Sequence, residues 1–214
     1  MKALELVAEG QAPDGTPLTL HRKGAEWLIR AGGQDLMSSR AHGSEQEMVR
    51  LAGPFPANAR VLVGGLGMGF TLRAALDAGP RVVVAELSPD VVEWNQRWLG
   101  DLAGRPLDDP RTELRIGDVA DALTPGAGWN AVLLDVDNGP EAFTQAANAG
   151  LYSRAGLHRA REALAPGGAL AVWSGYEVTK FPAALERAGL RPEVHRVRAH
   201  AGRGARHVIY VGRR

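Results

Sequence analysis

A short apolar run, Val61-Leu62-Val63, leads directly into Gly64-Gly65-Leu66-Gly67-Met68-Gly69 and then into a helical pattern from residue 70. A strand that turns through glycines into a helix constrains the chain strongly. Glycine bends through backbone conformations closed to other residues and lets a ligand approach without a Cβ in the way. The helix start beyond it adds exposed amide donors. The spacing Gly65-x-Gly67-x-Gly69 differs from the Gly-x-Gly-x-x-Gly of dinucleotide sites and lacks the Lys-Ser/Thr of a P-loop. Such turns serve many nucleotides, and some are tight turns that bind nothing.

The elements beyond the turn narrow the choice. Residues 70–78 read as a helix ended by Gly79-Pro80. Arg81–Glu86, Thr112–Ile116, Asn130–Asp135 and Ala169–Trp173 are further strands. Helices are expected from Ser88-Pro89 through Trp98, over 155–164 and over 180–188, where serine caps, proline starts and glycine stops mark their ends. Two strands, near 193–198 and 207–212, close the chain. Near-continuous apolar strands separated by helices imply a parallel sheet covered on both faces. A final pair joined by a short connection is antiparallel. The fold expected is α/β, with a Rossmann-like seven-stranded, mostly parallel sheet whose last strand is antiparallel. Ahead of it, residues 1–43 read as a small β-hairpin region with turns at Pro13-Asp14-Gly15 and Ala31-Gly32-Gly33. Residues 44–214 form the second unit. It opens on Ser44-Glu45-Gln46-Glu47, which has the spacing of a capping box, and its first helix ends near Gly53-Pro54.

Three strand ends carry chemistry. Glu86 lies 21 positions after Gly65, where an acid can accept both hydroxyls of a ribose held over the glycine turn. Gly117-Asp118 comes after the next strand, and an acid there can accept the exocyclic amine of adenine while Leu87 and Val119 sandwich the ring. Each also has a bland alternative: a solvated strand-end carboxylate for Glu86 and a helix cap for Asp118. Asp135 ends the fourth strand before Val136-Asp137-Asn138-Gly139-Pro140-Glu141. A carboxylate there can steady a cationic centre, orient an acceptor or take its proton. A plain turn-capping aspartate is the alternative. Gly65, Gly67, Gly69, Glu86, Leu87, Asp118, Val119 and Asp135 are thus the candidate cofactor-binding residues, with Asp135 and Asp137 the candidate catalytic ones.

Composition removes other classes. The 214 residues suffice for one α/β domain with a short attachment. With no cysteine there is no disulfide framework, cysteine-bound metal or thiol nucleophile. The six histidines lack metal-site spacing, so no metal is expected. Neither a signal-peptide pattern nor an apolar run of roughly 18 residues occurs, so the expectation is a cytoplasmic protein without a membrane partner. Net charge is +1, yet residues 191–214 hold seven arginines and one acid. Such asymmetry marks either an anionic partner or a solvated arginine-rich surface.

These residues resemble the spermidine-synthase family of polyamine aminopropyltransferases. The resemblance rests on Leu36-Met37-Ser38-Ser39, the Glu45-Gln46-Glu47-Met48 helix, Val61 to Arg73 and Asp109-Pro110-Arg111. It continues through Gly117-Asp118, the Asp135 loop, Leu151-Tyr152-Ser153 and Leu164-Ala165-Pro166-Gly167-Gly168. It implies the fold shared with class I methyltransferases, an adenosyl sulfonium donor bound with the help of Gln46, and a homodimer. It also exposes departures. Met68 stands where the family has an aspartate for the donor's amine, Glu45 replaces a pocket tyrosine, and Asn138 replaces the second acid of the loop after strand four. An arginine- and histidine-rich stretch, Arg196 to His207, replaces a Pro-Thr-Tyr segment.

A pocket that loses acids and gains arginines, with Arg40 and His42 adding to that side, suits an anionic acceptor. The leading expectation is therefore a transferase that uses S-adenosylmethionine to methylate a small anionic acceptor. The alternative is an aminopropyltransferase using decarboxylated S-adenosylmethionine, for which Glu45, Glu47, Asp135, Asp137 and Glu141 supply acid. A non-catalytic nucleoside- or nucleic-acid-binding module ranks last, because the basic tail carries only Tyr210 for base stacking.

Overall fold

The computed structural model describes residues 3–136, 149–200 and 203–214. Four antiparallel strands come first, β1 (Glu5–Gln11), β2 (Pro17–Lys23), β3 (Glu26–Ala31) and β4 (Gln34–Ser38), paired in chain order. Alternation fixes their inward face, with Leu18, Leu20, Trp27, Ile29 and Ala31 buried. Helix α1 (Gly43–Ala52) then leads into the second sheet.

That sheet holds β5 (Arg60–Gly64), β6 (Arg81–Glu86), β7 (Thr112–Ile116), β8 (Trp129–Leu134), β9 (Leu164–Ser174), β10 (Arg191–His200) and β11 (Arg203–Arg213). Its order is β10-β11-β9-β8-β5-β6-β7. Strands β5 to β9 pair in parallel, whereas β11 runs antiparallel to both β9 and β10. The sequence expectation of seven strands with an antiparallel end is met, and the N-terminal region forms a four-stranded sheet.

Helices α2 (Phe70–Asp77) and α3 (Pro89–Trp94) cover one face with α1. On the other face lie α5 (Arg154–Ala163) and α6 (Phe181–Arg187), preceded by a short α4 (Ala149–Tyr152). Helix α3 starts as its sequence predicts, because Ser88 Oγ accepts from the Val91 amide and Pro89 occupies the first turn. Ser153 caps α5 in the same way.

The N-terminal sheet does not stand apart. Leu20 and Ile29 pack in one cluster with Met48, Val63 and Leu72, so both sheets and α1 share a core. Trp94 is buried there, and Trp98 packs against its edge. The Asp109-Pro110-Arg111 motif is also structural. Hydrogen bonds from Arg111 hold the Asp109 carboxyl down to about 2, and Arg111 Nη1 ties the pair to the Leu76 carbonyl at the end of α2.

The capping box expected at Ser44–Glu47 does not form. His42 is the cap residue and makes no side-chain cap bond. Ser44 lies inside α1 and is 1% exposed, while Glu47 pairs with Arg50. The Ser44 hydroxyl is drawn inward by the side chains of Glu45 and His207 rather than to the helix amides.

Leu62, wholly buried on the α5/α6 face of β5, offers a direct check of this core. Leu62→Ala is expected to lower unfolding free energy by about 2–5 kcal/mol in urea titrations, without a change in m-value.

Candidate active site

The carboxyl ends of β5, β6 and β8 open into a cavity of about 370 Å³, roofed by the N-terminal sheet and flanked by α1 and β11. Open α/β sheets present ligands at that end.

The glycine turn forms its floor. Gly65 has φ +90, and a Cβ there would collide with the Asp135 carbonyl oxygen. Gly67 has φ +51, and a Cβ would sit 2.9 Å from Met37 Sδ on β4. Glycine is therefore required at Gly65 by backbone packing as well as conformation, whereas at Gly67 the positive φ favours it and the flexible Met37 tip can yield. Asn95, buried just past the end of α3, donates from Nδ2 to the carbonyls of Gly67 (2.8 Å) and Val91 (2.9 Å). It pins the turn to the neighbouring helix. Gly69 lies outside the cavity wall and instead starts α2.

Glu86 is held beside the turn. Its Oε2 accepts from the Leu66 amide at 2.8 Å and its Oε1 from the Ser88 amide at 2.9 Å. Burial nevertheless raises its pKa against those bonds. This is no solvated strand end: each oxygen keeps a lone pair for a hydroxyl donor. Asp118 lines the cavity and also caps the turn after β7, accepting from the Ala120 amide at 2.8 Å. The functional and structural readings of Asp118 therefore coexist. Leu87 and Val119 are both in the wall.

Asp135 sits at the end of β8. Its amide donates to the Gly64 carbonyl, and its Oδ2 accepts from Thr71 Oγ1 at 2.5 Å. Burial pushes its pKa up to about 6. Across the cavity Glu45 is pushed up to about 7, first by burial and then by the charge of Asp135. Glu45 accepts from Ser44 Oγ at 2.7 Å, and Ser44 Oγ lies 3.0 Å from His207 Nδ1 on β11. His207 packs edge-on against Trp173, with ring centroids 4.7 Å apart, and burial lowers its pKa.

The structure corrects several sequence expectations. Gln46 is exposed and outside the wall: the buried stripe of α1 runs through Ser44, Glu45, Met48 and Val49, which turns Gln46 and Arg50 outward. Met68 points into the core, fully buried and outside the cavity wall, so an apolar residue at that position takes no charge from the wall. Asp137, with the loop through Glu141, lies outside the described residues.

The expected gain of arginines also fails. Paired strand residues share a face, and Arg198 opposes Arg206 whereas Val197 opposes His207. Only the His207 face looks toward α1. Arg196 pairs with Glu177, Arg213 with Glu193, and Arg40 with Glu26. His42 stacks on Phe70, centroids 4.3 Å apart. Among the described residues, the cavity wall contains Glu45, Glu86, Asp118 and Asp135 and no lysine or arginine. Sequence reasoning passed over Thr71, Ser44 and Asn95, whose small polar side chains carry no motif of their own.

The fold and this site define a Rossmann-like α/β protein with a carboxylate-lined cavity at the strand ends. Solved spermidine synthases superpose on nearly the whole chain. One in complex with the transition-state analogue AdoDATO gives a TM-score of 0.79 at 17% identity, covering 98% of this chain and 73% of that one. The Thermotoga maritima enzyme gives 0.75 at 18%, covering 98% and 72%. At such identities the likeness is one of fold. In sequence, the chain is 36% identical over 87 residues to the polyamine aminopropyltransferase of Pyrobaculum aerophilum, 38% of this chain and 30% of that one. It is 35% identical over 121 residues to the Mycobacterium tuberculosis protein of the same name, 54% of this chain and 22% of that one. The chain thus spans less than a third of the length of these curated relatives. No family model matches it. The family resemblance read from the sequence is shown by these comparisons. They overturn methyl transfer as the leading reading, because the curated relatives are aminopropyltransferases by name, and Arg40, Arg196, Arg198 and Arg206, invoked for an anionic acceptor, face elsewhere.

The raised carboxyls make stability depend on pH. Their folded pKa values exceed the unfolded ones, so the folded state binds more protons between about pH 4 and 7, and stability falls as pH rises through that window. The ligand-free protein is expected to melt at a higher temperature at pH 5 than at pH 8. Glu45→Gln should flatten that difference.

Proposed function

We propose that this chain is an aminopropyltransferase of the spermidine-synthase type, taking decarboxylated S-adenosylmethionine as donor and a small amine as acceptor. The observation that carries the reading is the charge of the cavity: four carboxylates and, among the described residues, no basic lysine or arginine. The decarboxylated donor carries a sulfonium and an ammonium but no carboxylate. An amine acceptor is a further cation. Carboxylates in a water-poor cavity favour such ligands, and the ligands in turn favour ionised carboxylates.

The residues' positions in the cavity support the following roles. Gly65 and Gly67 let the adenosine lie against the turn. Glu86 takes the ribose hydroxyls, and Asp118 takes the adenine amine between Leu87 and Val119. Asp135, oriented by Thr71, faces the sulfonium and the incoming nitrogen. Residues 1–43 act as a roof and residues 44–214 as the donor-binding unit. The nitrogen attacks the propyl carbon bonded to sulfur, the carbon–sulfur pair leaves with sulfur, and the sulfonium becomes a neutral thioether. Positioning and fixed charge supply the acceleration, and no step needs a metal. A homodimer working in the cytoplasm fits this reading.

With decarboxylated S-adenosylmethionine and a diamine, the purified protein should release methylthioadenosine and form the aminopropylated amine. Asp135→Asn should lower kcat by about a hundredfold or more. Methylated product from S-adenosylmethionine, with no methylthioadenosine from the decarboxylated donor, would reverse the assignment.

A further inference from the structure

The hydrogen-bonded chain from Glu45 to His207 has a direction that its donors determine. An ionised carboxylate only accepts, so at Glu45 the Ser44 hydroxyl must donate. That hydroxyl has one proton. Its oxygen, 3.0 Å from His207 Nδ1, is then left to accept, which places the imidazole proton on Nδ1. Nε2 is left with a bare lone pair and no hydrogen-bond partner among the described residues, on a ring that lines the cavity. Trp173 packed edge-on against the ring limits its orientation, and the pairing of Val208 with Ser174 anchors the adjacent backbone of β11.

We propose that His207, oriented through Ser44 by Glu45, takes the proton of the acceptor amine at Nε2. This rests on the aminopropyltransferase reading above and adds the base to it. An acceptor arrives as an ammonium and cannot attack until it loses a proton. The N–H bond breaks toward Nε2, and the freed nitrogen pair forms the N–C bond to the donor's propyl carbon. The C–S pair passes to sulfur. The product nitrogen is again cationic, and His207 returns its proton to solvent, so each turnover releases one proton. Ser44 acts as a positioning residue. The ionisable groups that share the cavity with the ring are Glu45 from α1, and Glu86, Asp118 and Asp135 from the strand ends, with Arg206 beside His207 in sequence but on the opposite face. Burial lowers the His207 pKa, which favours the neutral form a base requires. A bound dication lowers the Glu45 carboxyl from its raised value and thereby sets the chain in the required direction.

Two measurements test this. Nitrogen-15 NMR of the full chain at pH 8 should show the Nδ1–H tautomer of His207, and Ser44→Ala should shift it toward Nε2–H. His207→Gln, which keeps an amide donor for Ser44, should lower kcat by about a hundredfold while leaving the donor KM and the affinity for methylthioadenosine unchanged. An Nε2–H tautomer in the wild type would overturn the proposal. So would a His207→Gln enzyme with wild-type kcat, or one in which methylthioadenosine affinity is lost together with kcat. Failure of the wild type itself to turn over any amine would sink the transferase reading, and this inference with it, whereas the tautomer reports on the chain of hydrogen bonds alone.

Discussion

Asp135 is the residue on which the site depends. Its amide completes the β5–β8 pairing at Gly64, its carbonyl oxygen leaves room for only a glycine at Gly65, and its carboxylate is tied to Thr71 on α2. Its charge is felt by Glu45 on α1. One side chain at the end of a central strand thus couples the glycine turn, two helices and the opposing acid. Burial raises both carboxyl pKa values, the charge of Asp135 raises that of Glu45 further, and their ionisation costs stability. On the proposed reading, cations bound in the cavity would offset that cost by neutralising the pair.

The departures from the aminopropyltransferase pattern read differently once they are placed in space. A methionine for an aspartate in the glycine turn looks like a lost anion, but Met68 packs in the core. A glutamate for a tyrosine on α1 looks like a lost aromatic, but Glu45 brings a carboxylate into the wall and Trp173 supplies an aromatic edge from β9. The site keeps its negative character while changing which elements provide it.

The sheet was legible because each strand is an apolar run closed by a glycine or proline turn, and because strand ends carry the acids. Glu86 could be placed from its distance to the glycine turn, and Asp118 from its position at the end of the next strand. The rest depended on contacts distant in sequence. Ser44 has the spacing of a helix cap, yet its hydroxyl is engaged by Glu45 and by His207, 163 positions away. A count of arginines in the tail gives their charge but not their face. Strand alternation and register turn Arg198 and Arg206 away from the side His207 occupies. Gln46 came from the resemblance alone, and on α1 one residue of helical phase separates it, exposed, from the buried Glu45 in the cavity wall.

The central claim is that a carboxylate-lined cavity selects a donor without a carboxylate. The most direct measurement compares, by titration calorimetry at pH 8, the affinity for decarboxylated S-adenosylmethionine with that for S-adenosylmethionine. The two ligands differ only in that carboxylate. The account predicts clearly tighter binding of the decarboxylated form, with the preference reduced in Glu45→Gln. Equal affinities, or a preference for S-adenosylmethionine, would contradict it.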